Sequence, residues 1–228
     1  MISAEDFRCE FCRRQFTTEL RLVNHLCEPK RRHLQRDDKA VQLGFMAYQR
    51  FWQRSMRRKK EATYDGFAKS TLYTAFVRFG RHLISLNAIN VFSFIDFLLR
   101  VNAKIDQWTN PTLYATYIRE LTKTEEPIDA LERTFMLMHQ WADDTAQDWR
   151  HFFRQVETPL AVLWITSGRL SPWVLFTASC AHDLFNRLTA EQIKLIDQAI
   201  DQNYWRIKLE FHQNNVAMIR TMLAEHDI

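Results

Sequence analysis

Four glycines and five prolines in 228 residues leave few places where this chain can turn sharply. Sheet-rich proteins need turn residues every 8–12 positions or so, whereas helices joined by short loops need far fewer. The chain therefore reads as mainly α. Its length allows a proper core in one large domain or two small ones. Apolar residues at 46%, with seventeen Phe, seven Trp and six Tyr, supply the material for it. No apolar run approaches the roughly 18 residues of a membrane span. The first residues turn polar at once and reach Cys9 without an apolar stretch, so no secretory signal is expected.

Charge is unevenly placed. Residues 1–60 carry fifteen Lys/Arg against seven Asp/Glu, and residues 61–228 carry sixteen against twenty. A basic front and a mildly acidic remainder point to a polyanion at one end only. Cysteine is uneven too: Cys9, Cys12 and Cys27 crowd together and Cys180 stands alone. Such clustering suits a metal site in a reducing compartment, expected to be the cytoplasm, better than a disulfide framework.

The clustered segment is Phe7-Arg-Cys9-Glu-Phe-Cys12-Arg-Arg-Gln-Phe16-Thr-Thr-Glu-Leu-Arg-Leu22-Val-Asn-His25. It resembles a Cys2His2 zinc finger in its paired cysteines, its Phe16 and Leu22, and the twelve residues between Cys12 and His25. The resemblance implies a small ββα unit over residues 1–34 that holds zinc, with Phe16 and Leu22 as its core. The fourth ligand departs from the pattern, because Pro29, Lys30 and Arg31 stand where the family has a second histidine. Cys27, two residues beyond His25, is the preferred ligand, and His33 is the alternative. Two ligands so close cannot share a face of a regular helix, so the helix must change at Leu26. Specific reading of DNA normally takes several fingers, so a lone one is expected to bind by shape and charge.

A basic stretch, Lys30-Arg31-Arg32-His33-Leu-Gln-Arg36, precedes a helical pattern from about Asp37 to Lys60. Val41, Phe45, Tyr48, Phe51/Trp52 and Met56 recur along it, and it ends in Arg54-Ser-Met-Arg57-Arg58-Lys59-Lys60. With Arg13, Arg14 and Arg21 of the finger, these basic residues are the candidate contacts to a nucleic-acid backbone. The aromatic residues are expected to pack on the body rather than stack on bases.

The remainder punctuates itself as about ten helices. Ser70 to Leu86 is amphipathic, with Leu72, Phe76, Phe79, Leu83 and Leu86 on one stripe. Asn90, Asn110, Thr158 and Ser171 stand as caps, the last three before prolines. Gly168 fits a helix stop, Thr189 with Gln192 a capping box, and Tyr204 to Glu225 one long helix. A hinge near Lys123-Thr-Glu-Glu-Pro127 would divide the body, giving a basic linking helix at 35–62, a front subdomain at 63–125 and a back subdomain at 126–228. The tryptophans from Trp108 to Trp205 are expected in cores, and Cys180 is expected to be buried and inert.

Chemistry is sparse. No Gly-rich phosphate loop, HExxH, GxSxG or DxDxDG motif is present. His139 with Asp143 shares a helix face, while adjacent His182 and Asp183 are expected to diverge. Neither forms a three-group constellation, so no enzyme is expected. Two stretches, Phe67 to Ile89 and Ala130 to Phe176, resemble the helicase-loading proteins of tailed phages, which are small, basic, two-part helical proteins. That resemblance implies forked DNA and a replicative helicase as partners, in the host cytoplasm. The leading expectation is a non-enzymatic nucleic-acid-binding accessory protein, most naturally of DNA, with a protein partner on the helical body and no membrane. The alternative is a protein-interaction adapter or transcription co-factor that docks through the finger. A metal-dependent nuclease comes third.

Overall fold

The computed structural model describes residues 7–55 and 61–228. Among these the chain is mainly α, with fifteen α-helices, two single 3-10 turns and no strand. The helices are α1 (Glu19–Val23), α2 (Glu28–Leu34), α3 (Lys39–Ser55), α4 (Tyr64–Lys69), α5 (Tyr73–Leu86), α6 (Val91–Arg100), α7 (Pro111–Thr124) and α8 (Pro127–Thr145). They continue with α9 (Phe152–Gln155), α10 (Thr158–Thr166), α11 (Pro172–Leu175), α12 (Ala181–Phe185), α13 (Ala190–Ala199), α14 (Gln202–Phe211) and α15 (Gln213–Ala224). The chain divides into two compact units, 1–113 and 114–228. The two-residue connection between α7 and α8, where a hinge was expected, lies inside the second unit.

In the first unit α3 packs along α5 so closely that their backbones touch. A methyl on Gly80 would stand 2.0 Å from the Ala40 carbonyl oxygen, and one on Gly44 2.6 Å from that of Phe76. Two of the chain's few glycines thus sit mid-helix, where glycine costs about 1 kcal/mol against alanine, because only a bare backbone fits. Aromatic rings fill the flanks of this contact. Tyr48 lies on Phe67 and Phe76, and Trp108 meets Phe76 at 5.4 Å and Phe79 at 5.1 Å. The Trp108 indole N–H donates to the Ala103 carbonyl at 3.0 Å, which satisfies its one polar atom. Tyr48 is buried and Phe51 rests on Phe76 and Trp108, so these rings serve the core, as the sequence suggested. Met56 and the Arg57–Lys60 run lie outside the described residues.

In the second unit α8 packs against α9, α11 and α15, α12 against α9, and α10 against α13, with Trp141, Phe152, Phe153, Trp173 and Trp205 in the core. Glu125 and Arg133 form a buried pair beside Ser171, whose hydroxyl donates to Glu125 at 3.1 Å. Burial pushes the Glu125 carboxyl up from its ordinary range, against the pull of Arg133.

Several boundaries follow the capping residues closely. The side chains of Asn90, Ser171 and Thr189 accept from the first-turn amides of α6, α11 and α13, and Thr189 with Gln192 forms the full capping box. Gly168 adopts φ +73°, with its own amide on Ile165 and that of Arg169 on Trp164, a left-handed stop that turns the chain out of α10. Other expectations need correction. Thr158 is the first residue of α10 and Glu157 its cap. The expected helix from Tyr204 to Glu225 is two, broken at His212, whose backbone (φ −111°, ψ 46°) leaves the helical region. The N-terminal segment expected to form a ββα unit has no β-hairpin among the described residues: one isolated antiparallel bridge, Arg8 with Gln15, stands in place of two strands.

Replacing Gly80 by alanine should destabilise the protein by about 1–3 kcal/mol, the cost of overpacking, even though alanine is the better helix former. Gly66→Ala in α4, where the nearest atom is Thr63 Oγ1 at 3.4 Å, should be neutral or stabilising. Thermal melting of the two variants checks this, and an unchanged midpoint for Gly80→Ala would refute the close contact.

Candidate metal centre

The knuckle is built by local hydrogen bonds. The Cys9 amide donates to the Arg14 carbonyl and the Arg13 amide to that of Cys9, both at 2.9 Å, while Arg13 takes a left-handed backbone (φ 63°). This tight turn places Cys9 and Cys12 on one side of the loop. The Phe16 amide closes the loop on the Phe7 carbonyl at 2.8 Å. Thr18 then caps α1, which lasts only five residues. The His25 amide bonds back to Leu22, a tightened last turn that points the imidazole inward. Phe16 packs on that ring at 4.6 Å between centroids.

Cys27 lies between helices. Its extended backbone (φ −83°, ψ 161°) is the N-cap of α2, with Pro29 in the first turn. The sequence therefore solves the two-residue ligand spacing by ending one helix at Val23 and starting another at Glu28. Pro29 marks the start of that second helix.

These pieces bring Cys9, Cys12, His25 and Cys27 together, with one ligand atom from each, all within 4.8 Å of one another. The Cys9 and Cys27 sulfurs are 3.8 Å apart, and Cys12 Sγ is 3.2 Å from His25 Nε2. All four cysteines of the chain are free. A tetrahedral zinc with bonds of about 2.3 Å to sulfur and about 2.0 Å to nitrogen requires edges of roughly 3.8 and 3.5 Å. The donor set is thus close enough to hold a metal ion, and its chemistry and spacing are compatible with zinc. The amides of Cys12 and then Phe11 donate to the Cys9 sulfur and lower its thiol, while burial raises that of Cys27. His33 lies outside the cluster, its ring against Phe11 at 5.1 Å.

The basic residues divide into two groups. Arg32 is committed internally: it pairs with Glu28, donates to the Ala68 carbonyl at 2.7 Å and lies over the Tyr73 ring at 4.4 Å. Lys30 donates to the carbonyls of Val23 and His25, and Arg31 pairs with Glu28. Arg36 pairs loosely with Asp37 at 3.5 Å. Arg13, Arg14 and Arg21 are exposed and form no ion pair among the described residues, whereas exposed Arg54 adds its charge to that of Arg50 in lowering the Asp96 carboxyl. Arg57, Arg58, Lys59 and Lys60 lie outside those residues.

Two features went unread in the sequence. Leu20, Val23 and Leu26 recur at a spacing of three and are all exposed, 60–71%, with Leu34 similar at 63%. The signal was available, since a second apolar stripe ran beside the Phe16–Leu22 core. The other feature is a cleft between the knuckle, α2 and α4, which no local pattern announces.

Elsewhere His182 and Asp183 do meet, at 2.9 Å, contrary to expectation, and Arg154 joins Asp183 at 3.0 Å. The His139 ring lies against that of Trp149, 4.3 Å between centroids and inclined by 35°. Cys180 is buried, and burial raises its thiol, so it is a poor nucleophile.

Cys27→Ser should abolish stoichiometric metal binding, whereas His33→Asn should keep one zinc per chain, as read by elemental analysis after exhaustive dialysis. Acidification should release the metal, because protons compete for the thiolates. Retention by the first variant and loss by the second would reverse the ligand assignment.

Comparison with known proteins finds no matching family model, no matching curated protein and no matching solved structure.

Proposed function

We propose that this protein is a non-enzymatic, zinc-dependent nucleic-acid-binding accessory protein. The observation that carries this reading is the set of unpaired, exposed arginines around the metal centre, Arg13, Arg14 and Arg21, in a chain whose positive charge is concentrated at that end. Guanidinium groups free of carboxylates bind phosphate oxygens and release condensed counterions, which gives affinity without base specificity. Three thiolates and one divalent ion leave a net negative charge at the centre, so the metal serves to fix the fold that holds these arginines in place. Arg54 and the residues at 57–60 add further positive charge to the same part of the sequence. On the resemblance to phage helicase loaders, the nucleic acid is DNA at a replication fork, and the helical body carries a protein partner such as a replicative helicase.

A second reading has an observation of its own. The exposed stripe of Leu20, Val23 and Leu26 suits protein docking, and DNA contact gives it no role. It would make the finger an adapter surface.

Anisotropy titrations with single-stranded, duplex and forked DNA separate the two. About four phosphate contacts should weaken binding on the order of 10²-fold between 50 and 200 mM salt. Replacing Arg13, Arg14 and Arg21 together should lower affinity for every DNA form and reduce the salt slope by about 3. No binding to any of the three at physiological salt would sink the nucleic-acid reading and leave the adapter.

A further inference from the structure

The cleft between the knuckle, α2 and α4 has a volume of about 630 Å³, within the range of small-ligand pockets. Aromatic rings line it: Phe11 from the knuckle, His33 from α2 and Tyr64 from α4. Phe11 and His33 already lie against one another at 5.1 Å. Tyr64 is held by its hydroxyl, which donates to the Arg32 carbonyl at 2.5 Å. The wall is therefore largely preformed.

The polar groups on that wall are unequal. Arg32 is engaged on every side, as described above, and Glu28 is neutralised by Arg31 and Arg32. Lys69 pairs with Asp65 at 2.7 Å, but both are strongly exposed, 72% and 76%, so the pair holds little energy and Lys69 is free to turn to another anion. Glu10 is exposed and has no partner among the described residues. The cleft thus offers stacking surface, one unpaired carboxylate acceptor and one exchangeable cation.

We infer that this cleft takes a single unstacked nucleobase. Phe11 and His33 supply a ring face, and Glu10 accepts from an exocyclic amino group of the kind cytosine carries. Lys69 meets the adjoining phosphate. Aromatic rings stack on any base, so the carboxylate provides the preference, and thymine, which lacks that amino group, is the poorer occupant. The inference rests on the nucleic-acid reading and deepens it: the arginines hold the backbone and the cleft selects unpaired over paired strand.

The test uses the full zinc-loaded chain with labelled oligo-dC, oligo-dT and a blunt duplex. Wild type should prefer oligo-dC. Phe11→Ala should lose about tenfold in affinity for oligo-dC, the loss of one stacked base, and less than about twofold for duplex, which is held by backbone contacts. Glu10→Gln should bind oligo-dC and oligo-dT equally, since an amide both accepts and donates. Phe11 neighbours a metal ligand, so the cobalt(II) absorption spectrum of each variant checks the centre. His33→Ala, outside the ligand set, should reproduce the tenfold loss with that spectrum intact. Salt-sensitive binding that is unchanged in Phe11→Ala and His33→Ala overturns the cleft inference and leaves the backbone reading standing. A wild type that binds none of the three probes overturns both.

Discussion

The position of Cys27 governs the first unit. Three of the clustered side chains come from the knuckle and the turn that follows the five-residue α1, a fragment too small to hold itself together. The fourth comes from the N-cap of α2, and five residues on, in that helix, Arg32 is fixed to the Ala68 carbonyl and the Tyr73 ring. The Cys/His cluster and the packing of α2 on α4 and α5 are therefore consecutive links in one chain of contacts. A finger with its fourth ligand on its own helix would be a module on a tether. Here the terminal ligand belongs to the next element, and the metal centre is continuous with the helical core.

That arrangement also sorts the positive charge. Counting Lys and Arg along the sequence treats Lys30, Arg31 and Arg32 as equivalent to Arg13, Arg14 and Arg21. In the fold the first three close helix ends, neutralise Glu28 or grip backbone carbonyls, and each such role lowers their availability to an outside anion. The second three lie on a loop and a short helix and form no ion pair among the described residues. Burial and pairing decide which charges a partner meets, and a charge count carries neither.

Much of the helical layout was legible because helix ends are written locally. Asn90, Ser171, Thr189 and Gly168 act through hydrogen bonds within a few residues of themselves, so their meaning survives without tertiary information. The clustering of Cys9, Cys12, His25 and Cys27 was legible for a similar reason, since thiolates and imidazole at such spacing have few other uses. What failed depends on longer range or finer geometry. The resemblance to a finger carried an expectation of two strands, but a single bridge between Arg8 and Gln15 with Arg13 in a left-handed turn closes the knuckle without them. The break at His212 follows no glycine or proline, so composition gave no warning. His182 and Asp183 meet at 2.9 Å although they are adjacent in one short helix, a rotamer matter beyond the reach of helical-wheel reasoning.

The backbone contact between α3 and α5 has a mechanical meaning. Helices separated by side chains can slide or roll a little as those side chains change rotamer. At Gly44 and Gly80 no such layer exists, so any roll of one helix drives its carbonyls into the other. The pair behaves as a fixed post with two faces. Tyr73, on which Arg32 rests, is the first residue of α5, so the platform beneath α2 inherits that stiffness. A pull transmitted through the metal centre would meet a rigid anchor, and the compliance of this unit must lie in its short connections instead.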